Sequence, residues 1–216
     1  ELYYFRALAL KKLGRLDEAR SALELSLGEN PWHPDSLLLQ GEILNESGSP
    51  REAIEPLERT LKLQPDNPRI YRQLAEVYSG LEKYELALEP LDRAVILLRR
   101  DGVDLSRLAE IAGEDAFDRM IHGALLLERH EATANLLYKK SICLEYLGRF
   151  AEGVTAIDEA LEIFGEDKQL TLKKAMLLLS DGASIEALEL VLGLCAEQPE
   201  SADALYHLAW IYYKTA

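Results

Sequence analysis

The sequence predicts an all-α fold, and two observations carry that prediction. Leu, Ala and Glu, which favour helix, make up 94 of the 216 residues, whereas Val, Ile and Thr, which favour strands, number only 21. The second observation is a fixed period at which alanine, glycine and proline return along the chain. The period is the spacing from Ala19 to Ala53, and a period of this length indicates a helix-turn-helix unit, so the fold should be a stack of helix pairs.

The turn inside each unit is the most regular part of the period. Ala19, Ala53 and Ala87 are evenly spaced, and a second series keeps the same step from Gly153 to Ala187. Glycine just past a helix end supplies the positive φ that such a turn needs. The five turn segments are therefore Gly14-Arg15-Leu16-Asp17-Glu18-Ala19, Gly48-Ser49-Pro50-Arg51-Glu52-Ala53, Glu82-Lys83-Tyr84-Glu85-Leu86-Ala87, Gly148-Arg149-Phe150-Ala151-Glu152-Gly153 and Gly182-Ala183-Ser184-Ile185-Glu186-Ala187.

The helix before each turn carries an apolar, a small and a second apolar residue, four and then three positions apart. The small residue lets this first helix approach its partner closely, and the apolar neighbours fill the space between them. The triplets are Tyr3, Ala7 and Leu10; Leu37, Gly41 and Leu44; Tyr71, Ala75 and Tyr78; Leu137, Ser141 and Leu144; Thr171, Ala175 and Leu178; and Leu205, Ala209 and Tyr212. After each turn, a second helix should bury the stripe Leu23, Leu57, Leu91, Ile157 and Val191.

These columns resemble the tetratricopeptide repeat family over about 184 of the 216 residues. The resemblance implies a right-handed superhelical α-solenoid of antiparallel helix pairs. In that family the first helices of successive repeats line a concave groove, and the second helices form the convex back.

The period also predicts how the chain is divided. Residues 1–101 should hold three repeats, 134–200 two more, and 201–216 the first helix of a further repeat. The interval from Ala87 to Gly153 falls two positions short of two periods, so 102–133 should hold an atypical, shortened helix pair with its turn at Gly113-Glu114-Asp115. One continuous solenoid is expected, and the unfinished last repeat suggests a fragment of a longer protein.

Proline positions refine the helix boundaries. Pro34 and Pro68 fit the first turn of a helix, where a missing N–H costs nothing. Pro56 and Pro90 instead fall inside second helices, where proline costs about 3 kcal/mol or bends the helix. Because they recur one period apart at the same column, they predict a local bend in a continuous helix rather than a helix end.

Charge and residue spacing argue against several functions. The net charge of −14 disfavours nucleic acid and anionic membrane surfaces, and no apolar run is long enough for membrane insertion. The four histidines and two cysteines lack the spacing of metal ligands, and neither a phosphate-binding loop nor a nucleophile elbow is present. We therefore expect no metal, no cofactor and no catalytic residues, so the chain should not be an enzyme.

The function should then lie in the groove of the first helices. First-helix positions that the packing triplets do not use are largely apolar or aromatic, which suits an extended or helical peptide with hydrophobic anchors. The alternative is that a neighbouring turn of the superhelix, the irregular middle repeat or a second copy covers them. The candidate groove residues are Tyr4, Leu38, Leu39, Glu42, Arg72, Tyr138, Ile142, Leu172, Met176, Tyr206 and Trp210.

One sub-class of the family holds the terminal carboxylate of a chaperone tail with Lys, Asn and Arg side chains on three first helices. Of the matching positions in this sequence only Arg69 has a suitable side chain. Binding of chaperone tails is therefore not expected.

The sequence thus predicts a non-catalytic scaffold that binds a protein or peptide segment in its concave groove. Two alternatives stay open: an accessory repeat region of a larger enzyme or regulator, and a self-association module that forms a homodimer through its C-terminal helix. Two cysteines favour the cytoplasm, with the periplasm as the alternative compartment.

Overall fold

In the computed structural model the described residues form eleven α-helices and no strand, as the sequence predicts. The backbone is described for residues 1–111 and 116–215, and the side chains for 1–100 and 123–215. The helices are α1 (Leu2–Lys12), α2 (Leu16–Glu29), α3 (Pro34–Glu46), α4 (Pro50–Leu63), α5 (Pro68–Gly80), α6 (Tyr84–Ile111), α7 (Ala116–Tyr146), α8 (Phe150–Phe164), α9 (Lys168–Ser180), α10 (Ser184–Glu197) and α11 (Ala202–Thr215).

The chain divides into two compact units, Glu1–Leu97 and Leu98–Ala216, and the division falls within α6. In the first unit α1 packs on α2 and α3 on α4, while the first helices α1, α3 and α5 also contact one another in order. In the second unit α7 packs on α8 and α9 on α10, and α11 contacts both α9 and α10. Each unit is therefore a stack of helix pairs, which is the architecture of an α-solenoid.

The turns inside the pairs repeat one backbone geometry. In each, a backbone N–H bonds to the carbonyl oxygen five residues earlier at 2.8–3.0 Å: Arg15 to Leu10, Ser49 to Leu44, Lys83 to Tyr78, Arg149 to Leu144 and Ala183 to Leu178. This bond closes a helix that has a left-handed residue two positions after its last helical residue. Four of the five turns have glycine at that position, with φ between 71° and 91°. The predicted turn segments are confirmed.

Helix starts also follow the period. His33, Asn67 and Asp167 accept a hydrogen bond from a backbone N–H in the first turn of α3, α5 and α9, and so satisfy donors that would otherwise lack partners. Pro34 and Pro68 are the first residues of α3 and α5, as predicted.

The second helices α4 and α6 continue through Pro56 and Pro90. The prediction that these prolines do not end their helices is therefore right. Pro56 is buried, and its carbonyl accepts a hydrogen bond from the Thr60 hydroxyl at 2.8 Å.

The middle of the chain differs from the predicted division. Residues 102–111 prolong α6, and residues 116–133 form one helix with 134–146, so no separate helix pair begins at 102 or ends at 133. The proline column holds Arg99 at this point and no proline stands near residue 133, so nothing interrupts the helix-favouring sequence. The predicted turn at Gly113-Glu114-Asp115 lies outside the described residues.

Candidate partner-binding surface

Three of the predicted groove residues lie in the core instead. Leu38, Leu39 and Leu172 are 2–3% exposed. Leu39 belongs to the apolar cluster of α1, α2 and α3, Leu38 to the cluster of α3, α4 and α5, and Leu172 to the cluster of α9, α10 and α11. They are not available to a partner, so their assignment to the groove is wrong. The packing triplets describe only contacts within a pair, whereas the preceding repeat covers Leu39 and the following repeat covers Leu38 and Leu172.

Glu42 is also buried, at 4% exposure, but it has a different environment. Its Oε2 accepts a hydrogen bond from the Lys11 ammonium on α1 at 2.7 Å, and its Oε1 accepts two from the Arg69 guanidinium on α5, at 2.6 and 2.9 Å. One carboxylate on α3 therefore joins the first helices of three successive repeats. This side chain holds the repeats together rather than facing a partner.

The same network changes the titration of its neighbours. Burial lowers the pKa of Lys11, but its hydrogen bonds to Glu42 and Glu46 outweigh that effect, and the net pKa is raised. The pKa of the Tyr4 phenol is also raised, first by burial and then by the charge of Asp35, with Glu42 adding and Arg69 opposing. Both groups keep their protons at neutral pH.

In the first unit the candidates that reach the surface are Tyr4 and Arg72. Tyr4 on α1 is half-buried, with its ring 5.6 Å from the imidazole of His33, and Arg72 on α5 is exposed. Arg69, the one residue that could hold a terminal carboxylate, is already bound to Glu42. The candidate positions of this unit therefore offer a partner one phenol and one guanidinium, beside an ion pair that is already formed.

The second unit presents a more apolar first-helix surface. Tyr138 and Ile142 on α7, Met176 on α9 and Trp210 on α11 are half-buried, and Tyr206 on α11 is 65% exposed. These five candidates were predicted from the same two columns of the period. They combine apolar contact area with partial access to solvent, which is what a peptide-binding surface needs.

Tyr138 lines a pocket of about 370 Å³ between α7 and the start of α9. Ala134, Phe164 and Leu170 supply the apolar part of its wall, and Asn135 is among its polar lining residues. A pocket of this size can take one large apolar side chain. Phe164 and Leu170 were not predicted, because they come from a helix end and a helix start that share no column with Tyr138.

Ion pairs link the first helices of this unit too. Lys173 on α9 bonds to Glu145 on α7, and Lys168 on α9 bonds to Asp203 on α11 at 3.0 Å. At the C-terminal end the Lys214 ammonium lies 5.0 Å from the centre of the Trp210 ring. The apolar residues of the surface are therefore bordered by fixed charges.

A second, larger cavity of about 620 Å³ lies between α9 and α10. It does not belong to the first-helix surface, and it was not predicted from the sequence. Thr171, which lines it, stands in a triplet column that otherwise holds Tyr or Leu, so a small polar residue in an apolar column was the available signal.

Within the described residues, no helix is long and apolar enough to cross a membrane. Nor does any group of three or more His, Cys, Asp or Glu side chains in that part of the chain have the arrangement of a metal site.

The helix pairs, the repeated turn and the packing between first helices define an α-solenoid repeat protein. The sequence matches the family described as tetratricopeptide repeat over residues 4–68 and, one period later, over 38–102. Residues 4–102 therefore belong to the tetratricopeptide repeat family, as their columns predicted. No curated protein matches the sequence.

Solved structures show the same fold over nearly the whole chain. The crystal structure of MamA protein aligns with 94% of this chain and 93% of that one, at 17% identity and a TM-score of 0.71. A further MamA structure, AMB-1, aligns with 93% and 92% at 22% identity and a TM-score of 0.66. YrrB, described as a TPR protein with an unusual peptide-binding site, aligns with 90% and 84% at 18% identity and a TM-score of 0.60. At these identities the likeness concerns the fold.

Proposed function

We propose that the chain is a non-catalytic protein-interaction scaffold and that the first-helix surface of its second unit binds a partner segment. The observation that carries the proposal is the pocket that Tyr138 lines, and the half-buried Ile142 follows Tyr138 one helical turn later on α7. Met176, Tyr206 and Trp210 extend the apolar surface along α9 and α11. YrrB, which shares the fold, is described as having a peptide-binding site, and this favours a peptide as the ligand.

The bound segment should anchor one large apolar side chain in the Tyr138 pocket. Burying such a side chain contributes about 1.5–3 kcal/mol, which is enough to dominate a short peptide interaction. Two ion pairs border this surface, Lys173 with Glu145 and Lys168 with Asp203. These ion pairs orient the peptide and stay intact when it binds.

Selection from a phage-displayed random peptide library tests the proposal. Selected peptides should share an apolar anchor, and the double variant Tyr138→Ala, Met176→Ala should weaken their binding at least tenfold in a calorimetric titration. The matched control is Tyr146→Ala, an exposed tyrosine on the same helix that does not line the pocket. Peptides whose affinity depends on neither Tyr138 nor Met176 would show that the partner binds elsewhere.

A second candidate function is self-association through α11. Leu205 and Tyr212 are 47% and 52% exposed. Leu178 of α9, which has the same column as Tyr212, is instead buried against α10. We propose that a second copy covers this face. The helix has Asp203 in its first turn and Lys214 in its last, so an antiparallel pair of α11 helices would bring unlike charges together.

Sedimentation at low and high concentration tests the dimer. The wild-type chain should shift from monomer to dimer as concentration rises, and Tyr212→Glu should remove the shift, whereas Tyr146→Glu on α7 should leave it intact. A wild-type chain that stays monomeric throughout would rule out self-association.

A further inference from the structure

The cavity between α9 and α10 is independent of the proposed groove. Its volume is about 620 Å³, and it shares only Asp167 with the Tyr138 pocket. Leu178 of α9 and Leu190 and Leu194 of α10 form the apolar part of its wall, and Thr171 lies at the α9 side.

The cavity is lined at Thr171, and another repeat has an aromatic residue at the matching position. At the position of Thr171 the third repeat has Tyr71, which is buried and whose hydroxyl donates a hydrogen bond to the Pro65 carbonyl at 3.0 Å. Pro65 lies in the turn before α5, and Gly165 has the matching position before α9. The Tyr71 ring therefore fills the space between its first helix and the preceding turn.

Thr171 cannot fill the equivalent space. Its side chain is short, and its hydroxyl donates back to the Asp167 carbonyl at 2.9 Å within its own helix. Glu166 and Asp167, which follow Gly165, line the cavity directly. The site of the missing ring and the turn that would receive its hydroxyl are thus both open.

The α10 side of the cavity departs from the repeat as well. Leu190 and Leu194 replace the buried Pro56 and Thr60 of the second repeat, and between them Gly193 has no side chain. A Cβ atom placed on Gly193 would meet nothing within 4 Å. Larger apolar side chains and a bare stretch of backbone together give the cavity an apolar wall with room beside it.

The rim of the cavity is negative. Glu166, Glu186, Glu189 and Glu197 line it, and none of the four forms an ion pair with another residue in the described part of the chain. The two lysines of the rim are already bound to carboxylates outside the cavity: Lys168 to Asp203 at 3.0 Å and Lys174 to Asp158 at 2.6 Å.

We propose that this cavity binds an aromatic side chain of a partner polypeptide that carries basic residues beside the aromatic one. The ring lies beside Thr171, at the column that Tyr71 occupies in the third repeat, and packs against Leu178, Leu190 and Leu194. The flanking ammonium or guanidinium groups pair with the rim glutamates, which have no cationic partner among the residues that the structure describes. An aromatic residue between acidic neighbours is repelled by the same rim.

Three short peptides separate the contributions of ring and charge. We expect acetyl-Lys-Tyr-Lys-amide to bind the full chain at least tenfold more tightly than acetyl-Glu-Tyr-Glu-amide or acetyl-Lys-Ala-Lys-amide, measured by chemical-shift titration. Free tyramine, which has the ring and one amine but no peptide, should bind more weakly than the first peptide. Equal binding of all three peptides, or tighter binding of tyramine, would overturn the proposal.

Two variants locate the site. Thr171→Tyr fills the cavity from within and should weaken acetyl-Lys-Tyr-Lys-amide at least tenfold, whereas Thr171→Val keeps the shape of threonine and should leave its binding unchanged. The double variant Glu186→Lys, Glu189→Lys alters only exposed positions and should reverse the preference between the Lys-Tyr-Lys and Glu-Tyr-Glu peptides. This second arm decides the question if Thr171→Tyr does not fold, and an unchanged preference would refute the assignment.

Discussion

Glu82 and Gly48 occupy the same left-handed position in two successive turns, with φ of 59° and 80°. The turn at Glu82 keeps the closing hydrogen bond, from the Lys83 N–H to the Tyr78 carbonyl at 2.9 Å. Every other described turn between the two helices of a pair has glycine there, so the third repeat alone among them holds a side chain in a conformation that disfavours one.

We expect Glu82→Gly to raise the free energy of unfolding by about 0.5–1 kcal/mol. Removing the strain of a non-glycine residue in the left-handed conformation adds roughly 1–2 kcal/mol to the free energy of unfolding. The greater conformational freedom of glycine in the unfolded chain cancels part of that gain. Urea unfolding followed by circular dichroism measures the change. The reciprocal control, Gly48→Glu, should lower stability by about 1–2 kcal/mol, and a gain in both variants would contradict the reason given.

Gly41 is required by the close approach of α3 to α4. A Cβ atom at this position would lie 2.6 Å from Cγ and 2.7 Å from Cδ2 of Leu57, which is buried. We expect Gly41→Ala to lower the free energy of unfolding by about 1–3 kcal/mol, because Leu57 must leave its favoured position.

Gly28→Ala is the matched control for that variant. Gly28 lies within α2, and its added Cβ would meet nothing within 4 Å. The substitution should therefore stabilise the chain by about 0.5–1 kcal/mol through helix propensity. If Gly41→Ala were as stabilising as Gly28→Ala in thermal unfolding, the close approach would not matter.

Glu42→Gln should lower the free energy of unfolding by about 2 kcal/mol. It removes the charge that pairs with both Lys11 and Arg69 while keeping the size of the side chain. Glu46→Gln is the control, since Glu46 also binds Lys11, at 2.9 Å, but is 49% exposed and should change stability by under about 0.5 kcal/mol. Equal losses in the two variants would show that burial of Glu42 contributes nothing.

The raised pKa of Lys11 predicts a loss of stability in alkali. The native chain retains this proton at a pH where the unfolded chain, with a lysine pKa of about 10.4, has lost it. The contribution is therefore complete below about pH 10 and is lost as pH rises through the native pKa. The raised pKa of Tyr4 and of Tyr78 acts in the same direction, because their phenols ionise first in the unfolded chain.

Lys11→Gln should lower stability at pH 8 and make the decline between pH 9 and pH 11 shallower than in the wild-type chain. Urea unfolding at closely spaced pH values measures both effects. The decline that remains is assigned to the tyrosines, and Tyr4→Phe should reduce it further. A decline that is as steep in Lys11→Gln as in the wild-type chain would show that Lys11 loses its proton equally in both states.

The sequence predicted the repeated elements better than the candidate site. The turns at Gly14, Gly48, Gly148 and Gly182 were predictable because one local requirement, a positive φ after a helix, selects one residue type. Leu38 and Leu172 were misassigned because an apolar residue on a first helix looks the same in sequence whether it faces solvent or the next repeat. Only the packing of the neighbouring pair distinguishes the two cases.

By itself the sequence determined the all-α class, the repeat period and the position of the five described turns inside the helix pairs, since these depend on contacts within one repeat. The tertiary structure decided that Glu42 joins three helices and that α6 and α7 run past the predicted repeat boundaries. It also decided that Thr171 lines a cavity, whereas Tyr71 at the matching position is buried and bonded to the preceding turn. These features depend on which residues from different helices come into contact. A periodic sequence pattern specifies that a contact recurs, but it does not specify the space left around that contact.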